Sequence, residues 1–203
     1  MNSLLFSIGI FVTLLISTIQ CLDLERAKEQ PCFNIKRTVP LNTDDWMPDT
    51  KQCIHPMSRL DLYRAAADLL QKDPAEISES ELDNACILYK SKNETYVTEG
   101  FGGRTREYTV NSKDNTMREY TIRPLKGEGY SGTVYTTFTD YKTFYFTTSC
   151  LDDGQMTWGV ASITPTLPRL TVRLIQAYAL SLGFKSEFFT ELNYDQCNIQ
   201  KDI

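Results

Sequence analysis

Histidine is almost absent from this chain. Its 203 residues include one, His55, within Cys53-Ile54-His55-Pro56. A single imidazole cannot supply both a general base and a set of metal ligands. The six cysteines contain no Cys-x-x-Cys pair, which is the spacing that structural zinc sites use. We therefore expect no catalytic residues, no metal site and no cofactor, and we expect His55 to lie at the surface.

Positive charge is also in short supply. The chain has 21 Lys and Arg residues against 26 Asp and Glu residues, and its formal net charge is −5. No stripe of basic residues is present to neutralise the phosphates of a nucleic acid. This excludes nucleic acid as the expected partner.

Long apolar runs are missing except at the N-terminus, where residues 4–19 are largely apolar and uncharged. Such a run predicts a secretory signal peptide at residues 1–20, although the usual positive residues before it are missing. A membrane anchor is the alternative, but the run barely reaches the roughly 18 apolar residues that a spanning helix needs. We expect a secreted, extracellular protein with no membrane insertion after signal removal. The remaining residues, about 180, are enough for one core.

Short β-prone segments dominate the rest of the chain. They are rich in Tyr, Phe and Thr, which fit a pleated, half-buried sheet, and turn residues separate them. Candidate strands are residues 84–90, 95–101, 106–111, 117–123 and 132–138. An aromatic strand ending at Cys150 follows, and then a strand at 155–164 that ends at Pro165. If these strands form a closed barrel, its eighth strand must come from before Cys86.

One amphipathic helix is predicted at residues 167–182. Leu170, Leu174, Tyr178 and Leu182 recur at helical spacing, with Ile175 alongside, so this stripe is expected to face the sheet. Gly183 is placed to cap the C-terminal end of the helix.

The segment 58–71 supports two interpretations. Ser58 is a possible N-cap, apolar residues follow at helical spacing, and Pro74 is a terminator, so the segment can be an outright helix. It can equally be a short helix that runs into the first strand of the barrel.

The order of motifs from Val134 to Leu182 resembles the C-terminal half of a lipocalin. It comprises a strand, the corner Thr139-Asp140-Tyr141, an aromatic strand, a turn, a last strand and one helix. The resemblance implies a mainly β fold, an eight-stranded antiparallel up-and-down barrel with one C-terminal α-helix packed outside. It divides the chain into the signal peptide, a Cys-containing extension at 21–55 and a barrel domain at 56–203.

The resemblance is weakest at the first strand. Lipocalins open with a Gly-x-Trp word, and here Leu69 aligns with the Trp. The family's Arg on the last strand, which covers that indole, aligns with Ile163. An inward-facing Ile163 turns Ala161 inward as well and leaves Trp158 outward, beneath the helix.

Six cysteines in an exported chain predict disulfides, and sequence alone permits fifteen pairings. The resemblance to arthropod lipocalins of the bilin-binding and triabin-like kinds implies that Cys53 pairs with Cys150 and that Cys86 pairs with Cys197. Each bond closes a loop of roughly 100 residues, which stabilises the fold by around 4 kcal/mol.

Cys32 is left over in this scheme. It can pair with Cys21 if the signal peptide is cleaved after Gln20. If cleavage falls after Cys21, Cys32 stays free or pairs with another chain.

The resemblance implies a carrier that binds a small hydrophobic ligand in the barrel cavity. The cavity wall is drawn from aromatic strand residues: Tyr96, Phe101, Tyr108, Tyr120, Tyr135, Phe144 and Phe146. The alternative is a triabin-like secreted effector that binds and inhibits a protein partner through its outer loops. Whether the interior is open or filled discriminates between the two.

An enzyme is not expected. A lipocalin-type prostaglandin isomerase uses a free cysteine inside its cavity, whereas every cysteine in the matched region aligns with a disulfide position.

Glycosylation is predicted at Asn93, because Asn93-Glu94-Thr95 is an acceptor sequon in a turn between two strands of an exported chain. Treatment of the secreted protein with a glycan-removing amidase should lower its mass and convert Asn93 to Asp. An unchanged mass would reject this prediction.

Overall fold

A computed structural model describes residues 30–41, 52–83, 85–92, 95–112, 116–192 and 194. The predicted signal peptide, Cys21, Asn93 and Cys197 lie outside the described residues. The strands are β1 (Gln52–Ser58), β2 (Ile87–Lys92), β3 (Thr95–Gly100), β4 (Arg104–Ser112), β5 (Glu119–Pro124), β6 (Gly132–Thr139), β7 (Phe144–Leu151), β8 (Met156–Ser162) and β9 (Phe189–Thr190). The helices are α1 (Arg59–Leu70), α2 (Glu79–Asp83) and α3 (Arg169–Ser181).

Strands β1 to β8 form a closed antiparallel barrel. Each strand from β2 to β8 pairs with its neighbour in sequence, and β1 pairs with both β8 and β2, which closes the sheet. The short β9 adds to β1. The predicted mainly β, up-and-down barrel is confirmed, and the eighth strand does come from before Cys86. It begins at Gln52, inside the segment that was assigned to the extension.

The ambiguous segment 58–71 is an outright helix. The Asp61 backbone N–H donates to Ser58 Oγ at 3.2 Å, so Ser58 is the N-cap, and Gln71 ends the helix with φ of 55°. Leu60 and Leu62 are fully buried. The alignment of Leu69 with a first-strand Trp is therefore wrong, because Leu69 lies in α1.

Helix α1 covers one end of the barrel. We call this end, which carries the connections 101–103, 125–131 and 152–155, the mouth, and α1 the lid. Asp68 of the lid accepts a hydrogen bond from the Tyr108 hydroxyl of β4, and its Oδ1 lies 3.1 Å from Arg106 Nε. Arg64 pairs with Asp153 beside β8. The lid is thus fixed to two sides of the barrel.

Helix α3 packs on the outside of the barrel, as expected. Ile175 and Ala179 are fully buried against an aromatic layer in which Phe146 and Trp158 stack at 5.2 Å. Tyr178 meets Phe146 edge-on at 5.0 Å. The sheet supplies the large side chains of this layer, so small residues on the helix allow close approach.

The predicted apolar stripe of α3 was partly wrong. Leu170 is 78% exposed and Leu174 is 54% exposed. The buried face is centred on Ile175 and Ala179, and Tyr178 and Leu182 pack beside them, so the upper part of the predicted stripe faces the barrel while Leu170 and Leu174 point to solvent. The predicted cap is confirmed, since Gly183 follows the helix with φ of 94°.

Residues 30–41 form an irregular strap along the outside of the barrel. The Cys32 N–H donates to Gly154 O at 2.8 Å near the mouth, and the Leu41 N–H donates to Thr116 O at 2.7 Å at the opposite end. A disulfide joins Cys32 to Cys150.

The predicted bond between Cys53 and Cys150 is wrong. Cys53 is a buried free thiol on β1. It pairs in register with Ser162, whereas Cys150 pairs with Met156 at the other end of β8. Six residues of strand separate these positions by about 20 Å, far more than a disulfide spans.

Cys86 is disulfide-bonded, and its partner lies outside the described residues. Its pairing with Cys197 stays a prediction.

His55 is buried rather than at the surface, which corrects the expectation. It is 6% exposed, because β1 is paired with neighbouring strands, and its Nε2 lies 2.7 Å from Thr164 O. Its ring packs on Tyr194 with centroids 5.3 Å apart.

The motif Thr139-Asp140-Tyr141 forms the corner between β6 and β7. Asp140 Oδ1 accepts hydrogen bonds from the backbone N–H groups of Lys142 at 3.0 Å and Thr143 at 2.8 Å. This motif therefore shapes a turn, as expected, and lies at the end of the barrel opposite to the mouth.

Non-reducing peptide mapping should recover Cys32 joined to Cys150 and Cys53 as a free thiol. Burial raises the pKa of Cys53 to about 11, so this thiol should react with alkylating reagents only after unfolding. Recovery of Cys53 in a bond to Cys150 would contradict the strap geometry.

Candidate functional site

The barrel encloses a small cavity of about 40 Å³ beneath the lid. Five tyrosines line it: Tyr89, Tyr96, Tyr120, Tyr130 and Tyr145. Smaller side chains of the strands complete its wall, among them Thr98, Thr147, Ser149 and Val134. Strand alternation explains the wall. On β7, Tyr145, Thr147 and Ser149 point inward, while the residues between them point out towards α3.

A carboxylate, Asp61, enters this cavity from the first turn of the lid. It is 6% exposed. The Tyr130 hydroxyl donates to its Oδ1 at 2.8 Å, and Thr157 Oγ1 donates to the same oxygen at 2.9 Å. In the described part of the chain, no hydrogen bond or ion pair reaches Asp61 Oδ2, and no Lys, Arg or His lines the cavity. The carboxylate is therefore buried without a cation.

Burial raises the pKa of Asp61 from 3.8 to about 6, and the hydrogen bonds from Tyr130 and Thr157 offset part of this rise. Burial and then the Asp61 charge raise the pKa of Tyr120 and Tyr130, so both phenols stay protonated and can donate. Above pH 6 the site is an anion surrounded by aromatic rings and hydroxyls. Such a group is typical of functional sites.

Two of the seven predicted wall residues, Tyr96 and Tyr120, line the cavity. Tyr108 lies at the mouth, where its hydroxyl contacts Asp68 of the lid. Phe101 occupies the turn after β3 with φ of 48° and packs on the barrel core.

Three predicted wall residues face away from the cavity. Phe144 and Phe146 belong to the aromatic layer beneath α3, which corrects their assignment as ligand-binding residues. Tyr135 lies next to Val134, whose side chain points inward, so alternation turns Tyr135 outward.

The sequence prediction missed Asp61, Tyr89, Tyr130 and Tyr145. For Tyr145 a signal existed. Ala161 was expected to point inward, and a hairpin that turns at 152–155 places Tyr145 directly opposite Ala161, hence on the same face. Asp61 gave no signal, because an acidic residue in the first turn of a helix is ordinary.

The free thiol of Cys53 does not line the cavity; its neighbour Ile54 does. Among the described residues, no three His, Cys, Asp or Glu side chains gather in a way that could hold a metal ion. Within the same ranges, no helix has the length and apolar character needed to cross a membrane.

No protein-family model matches this chain, and no curated protein sequence matches it. Solved structures do. The cockroach allergen Per a 4 matches with a TM-score of 0.52 and 15% identity, over 81% of this chain and 95% of that chain. A biogenic amine-binding protein matches with a TM-score of 0.51 and 13% identity, over 79% of this chain and 86% of that one. At these identities the likeness shows the fold, and the chain has the lipocalin fold.

Replacing Asp61 with Asn should stabilise the protein at high pH. The folded-state pKa of Asp61 lies above its unfolded value, so its contribution to stability is complete below pH 3.8 and is lost as the pH rises through about 6. Asn keeps an acceptor for Tyr130 and removes the buried charge. In urea titrations we expect equal stability near pH 4 and an Asp61→Asn variant more stable by up to about 3 kcal/mol at pH 8.

Asp68→Asn is the matched control, because it also removes a buried lid carboxylate. Asp68 has a cationic partner in Arg106, so its loss should lower stability at pH 8. Equal effects of the two substitutions would contradict the view that Asp61 alone lacks a cation.

Proposed function

We propose that this protein is a secreted carrier that binds one small ligand inside the barrel, and that the ligand is a partly apolar molecule with a protonated amine. The observation that carries the proposal is Asp61, a buried carboxylate whose Oδ2 faces a tyrosine-lined cavity without a cation.

Charge balance is the first argument. A buried carboxylate is expensive unless a cation offsets it, and no side chain of the wall provides one. An ammonium group beside Oδ2 would supply the missing charge, and the surrounding tyrosine rings would add cation–π attraction. The apolar part of the ligand would pack on Ile54, Val134 and Ala161. The similarity in fold to a biogenic amine-binding protein supports the same class of ligand.

Size is the second argument. A cavity of about 40 Å³ holds on the order of three water molecules. Ordinary ligand pockets measure roughly 300–1,000 Å³. A small amine that shifts one or two tyrosines fits this interior better than a lipid or a large pigment.

Secretion is supported by the disulfide between Cys32 and Cys150, because such bonds persist in oxidising compartments. The apolar N-terminal run points the same way.

A second candidate is a protein-binding effector, the alternative raised by the resemblance. The nearly filled interior favours it, since a protein that acts through its outer loops needs no cavity. Under this hypothesis Asp61 is a structural hydrogen-bond acceptor.

Calorimetry with two matched compounds tests the carrier proposal. At pH 7.5, 2-phenylethylamine should bind at one saturable site, whereas 2-phenylethanol, which has the same shape and no charge, should bind at least about 30-fold more weakly. Asp61→Asn should remove this preference. Below pH 6 the affinity for the amine should fall about tenfold per pH unit, because Asp61 must lose its proton to attract the cation.

The controls separate the two candidates. Phe144→Leu changes the aromatic layer outside the cavity and should leave amine binding intact. If neither compound nor an apolar fluorescent probe binds, while the protein retains a protein partner through its loops, the carrier proposal fails and the effector replaces it. Equal binding of the alcohol and the amine would show that the Asp61 carboxylate does not select for a positively charged ligand.

A further inference from the structure

The interior cavity and a second, outer cleft share one lining residue, Tyr130. Besides the interior cavity, a cleft of about 510 Å³ opens at the mouth, between the lid and the connections that follow β5 and β7. Tyr130 lines both spaces, and within the described ranges no other residue does so. Tyr130 therefore borders the outer cleft on one side and the cavity on the other.

Tyr130 is placed to block movement between the outer cleft and the cavity. Its hydroxyl reaches the cavity and donates to Asp61 Oδ1 at 2.8 Å, while the residue as a whole stays half-buried and borders the cleft. Two side-chain hydrogen bonds, one with Asp61 of the lid and one with Ser149 of β7, thus hold the Tyr130 hydroxyl in place, and each such bond is worth little enough to break in thermal motion.

The connection before Tyr130 lies at the surface and is tied to β4 by a few hydrogen bonds, from the Leu125 N–H to Glu107 O at 2.8 Å and from Arg106 to Glu128 O at 2.6 Å. Residues 125–129 are exposed and precede the first residue of β6. Gly127 has φ of 69°, and a Cβ at Gly129 would collide with Asp68 Oδ1, so the connection touches the lid through bare backbone. The contact between this connection and the lid is made by the backbone of Gly129 and not by interdigitated side chains.

The other end of the barrel is closed. Leu41 of the strap and Met117 are buried there, and the Tyr145 hydroxyl is bonded to Gln52 at the start of β1. A molecule that enters from that end must displace these buried residues, whereas at the mouth Tyr130 borders both the outer cleft and the cavity.

We propose that Tyr130 is the gate of the cavity and that the outer cleft is the antechamber through which small molecules enter and leave. What passes through the gate rests on the proposed function; the gate itself does not. Because the Tyr130 hydroxyl is bonded to Asp61 Oδ1, a cation placed beside Oδ2 would share its carboxylate with the group that holds the gate shut.

The test uses a thiol reporter inside the cavity and needs no ligand. Thr98 lines the cavity from β3, is 4% exposed and is close to Cys in size, so Thr98→Cys in a Cys53→Ser background carries one new thiol on the wall and replaces neither hydrogen-bond partner of Tyr130. The rate at which methyl methanethiosulfonate, a small neutral reagent, forms a mixed disulfide there is followed by intact mass under native conditions.

Tyr130→Ala should raise this rate at least tenfold, because it removes both the ring and the hydroxyl. Tyr130→Phe keeps the ring and loses the hydrogen bonds of the hydroxyl with Asp61 and Ser149, so it should raise the rate about three- to tenfold. Tyr135→Ala is the matched control: it truncates a tyrosine of β6 outside the cavity wall and should leave the rate unchanged.

The gate is overturned if neither Tyr130 variant labels faster than the parent, or if Tyr135→Ala accelerates labelling equally. Hydrogen exchange of core amides, measured on the same samples, must show that global unfolding is slower than labelling, and the Phe variant decides the matter if the Ala variant unfolds. If labelling depends on Tyr130 but the protein binds no amine, the gate proposal stands and the carrier proposal is refuted. If the protein binds the amine but labelling does not depend on Tyr130, the carrier proposal stands and the gate proposal is refuted.

Discussion

A barrel mouth covered by a helix must accommodate the polar groups of that helix, and this constraint shapes the whole interior. The lid starts at Ser58, directly after β1, so its first turn hangs over the barrel and Asp61 points inside. Tyr130 and Thr157 then meet one carboxylate oxygen with hydroxyls. The position of the cavity, its polarity and the closure of the mouth all follow from the direction in which the chain leaves β1.

The two lid carboxylates show how burial can be used in opposite ways. Asp68 lies between the Tyr108 hydroxyl and the Arg106 guanidinium, and this paired charge fastens the lid to β4. Asp61, about two turns earlier on the same face of the helix, has hydroxyl donors but no cation. The same short helix therefore contains one carboxylate that is paired with a cation and one that is not. The stability gained at Asp68 offsets the cost of burying the unpaired charge of Asp61.

Much of the fold was predictable from the sequence. Strand alternation, turn residues and the helix capped by Gly183 gave the barrel and α3 with small errors in their ends, because these features depend on local pattern. The phase of β7 was predicted wrongly: Phe144 and Phe146 looked like the wall of a cavity, yet a barrel with an outer helix needs its largest aromatics between helix and sheet. Alternation states that neighbours face opposite ways, and only the pairing with β8 decides which face is inside.

The site itself was harder to predict than the fold. Asp61 and Tyr130 are 69 residues apart in sequence, and the β1–β2 connection had to be recognised as a lid before their meeting could be expected. The disulfide prediction was wrong for a related reason. A family's disulfide pattern applies to a new sequence only if the strands are aligned correctly, and the alignment was wrong at β1. Cys32 of the strap, and not Cys53, is bonded to Cys150.

The lid is also the connection between β1 and β2, and this arrangement makes the recognition chemistry modular. A continuous segment, residues 59–86, supplies the charge inside the cavity, the anchor at the rim and one side of the outer cleft, while the strands beneath it supply a generic aromatic cup. Under the proposed carrier function, substitutions confined to residues 59–83 would alter the chemistry of the cavity and of the cleft and leave every strand pair of the barrel in place. The part of the chain that sets the polarity of the interior is thus separate from the part that holds the barrel together.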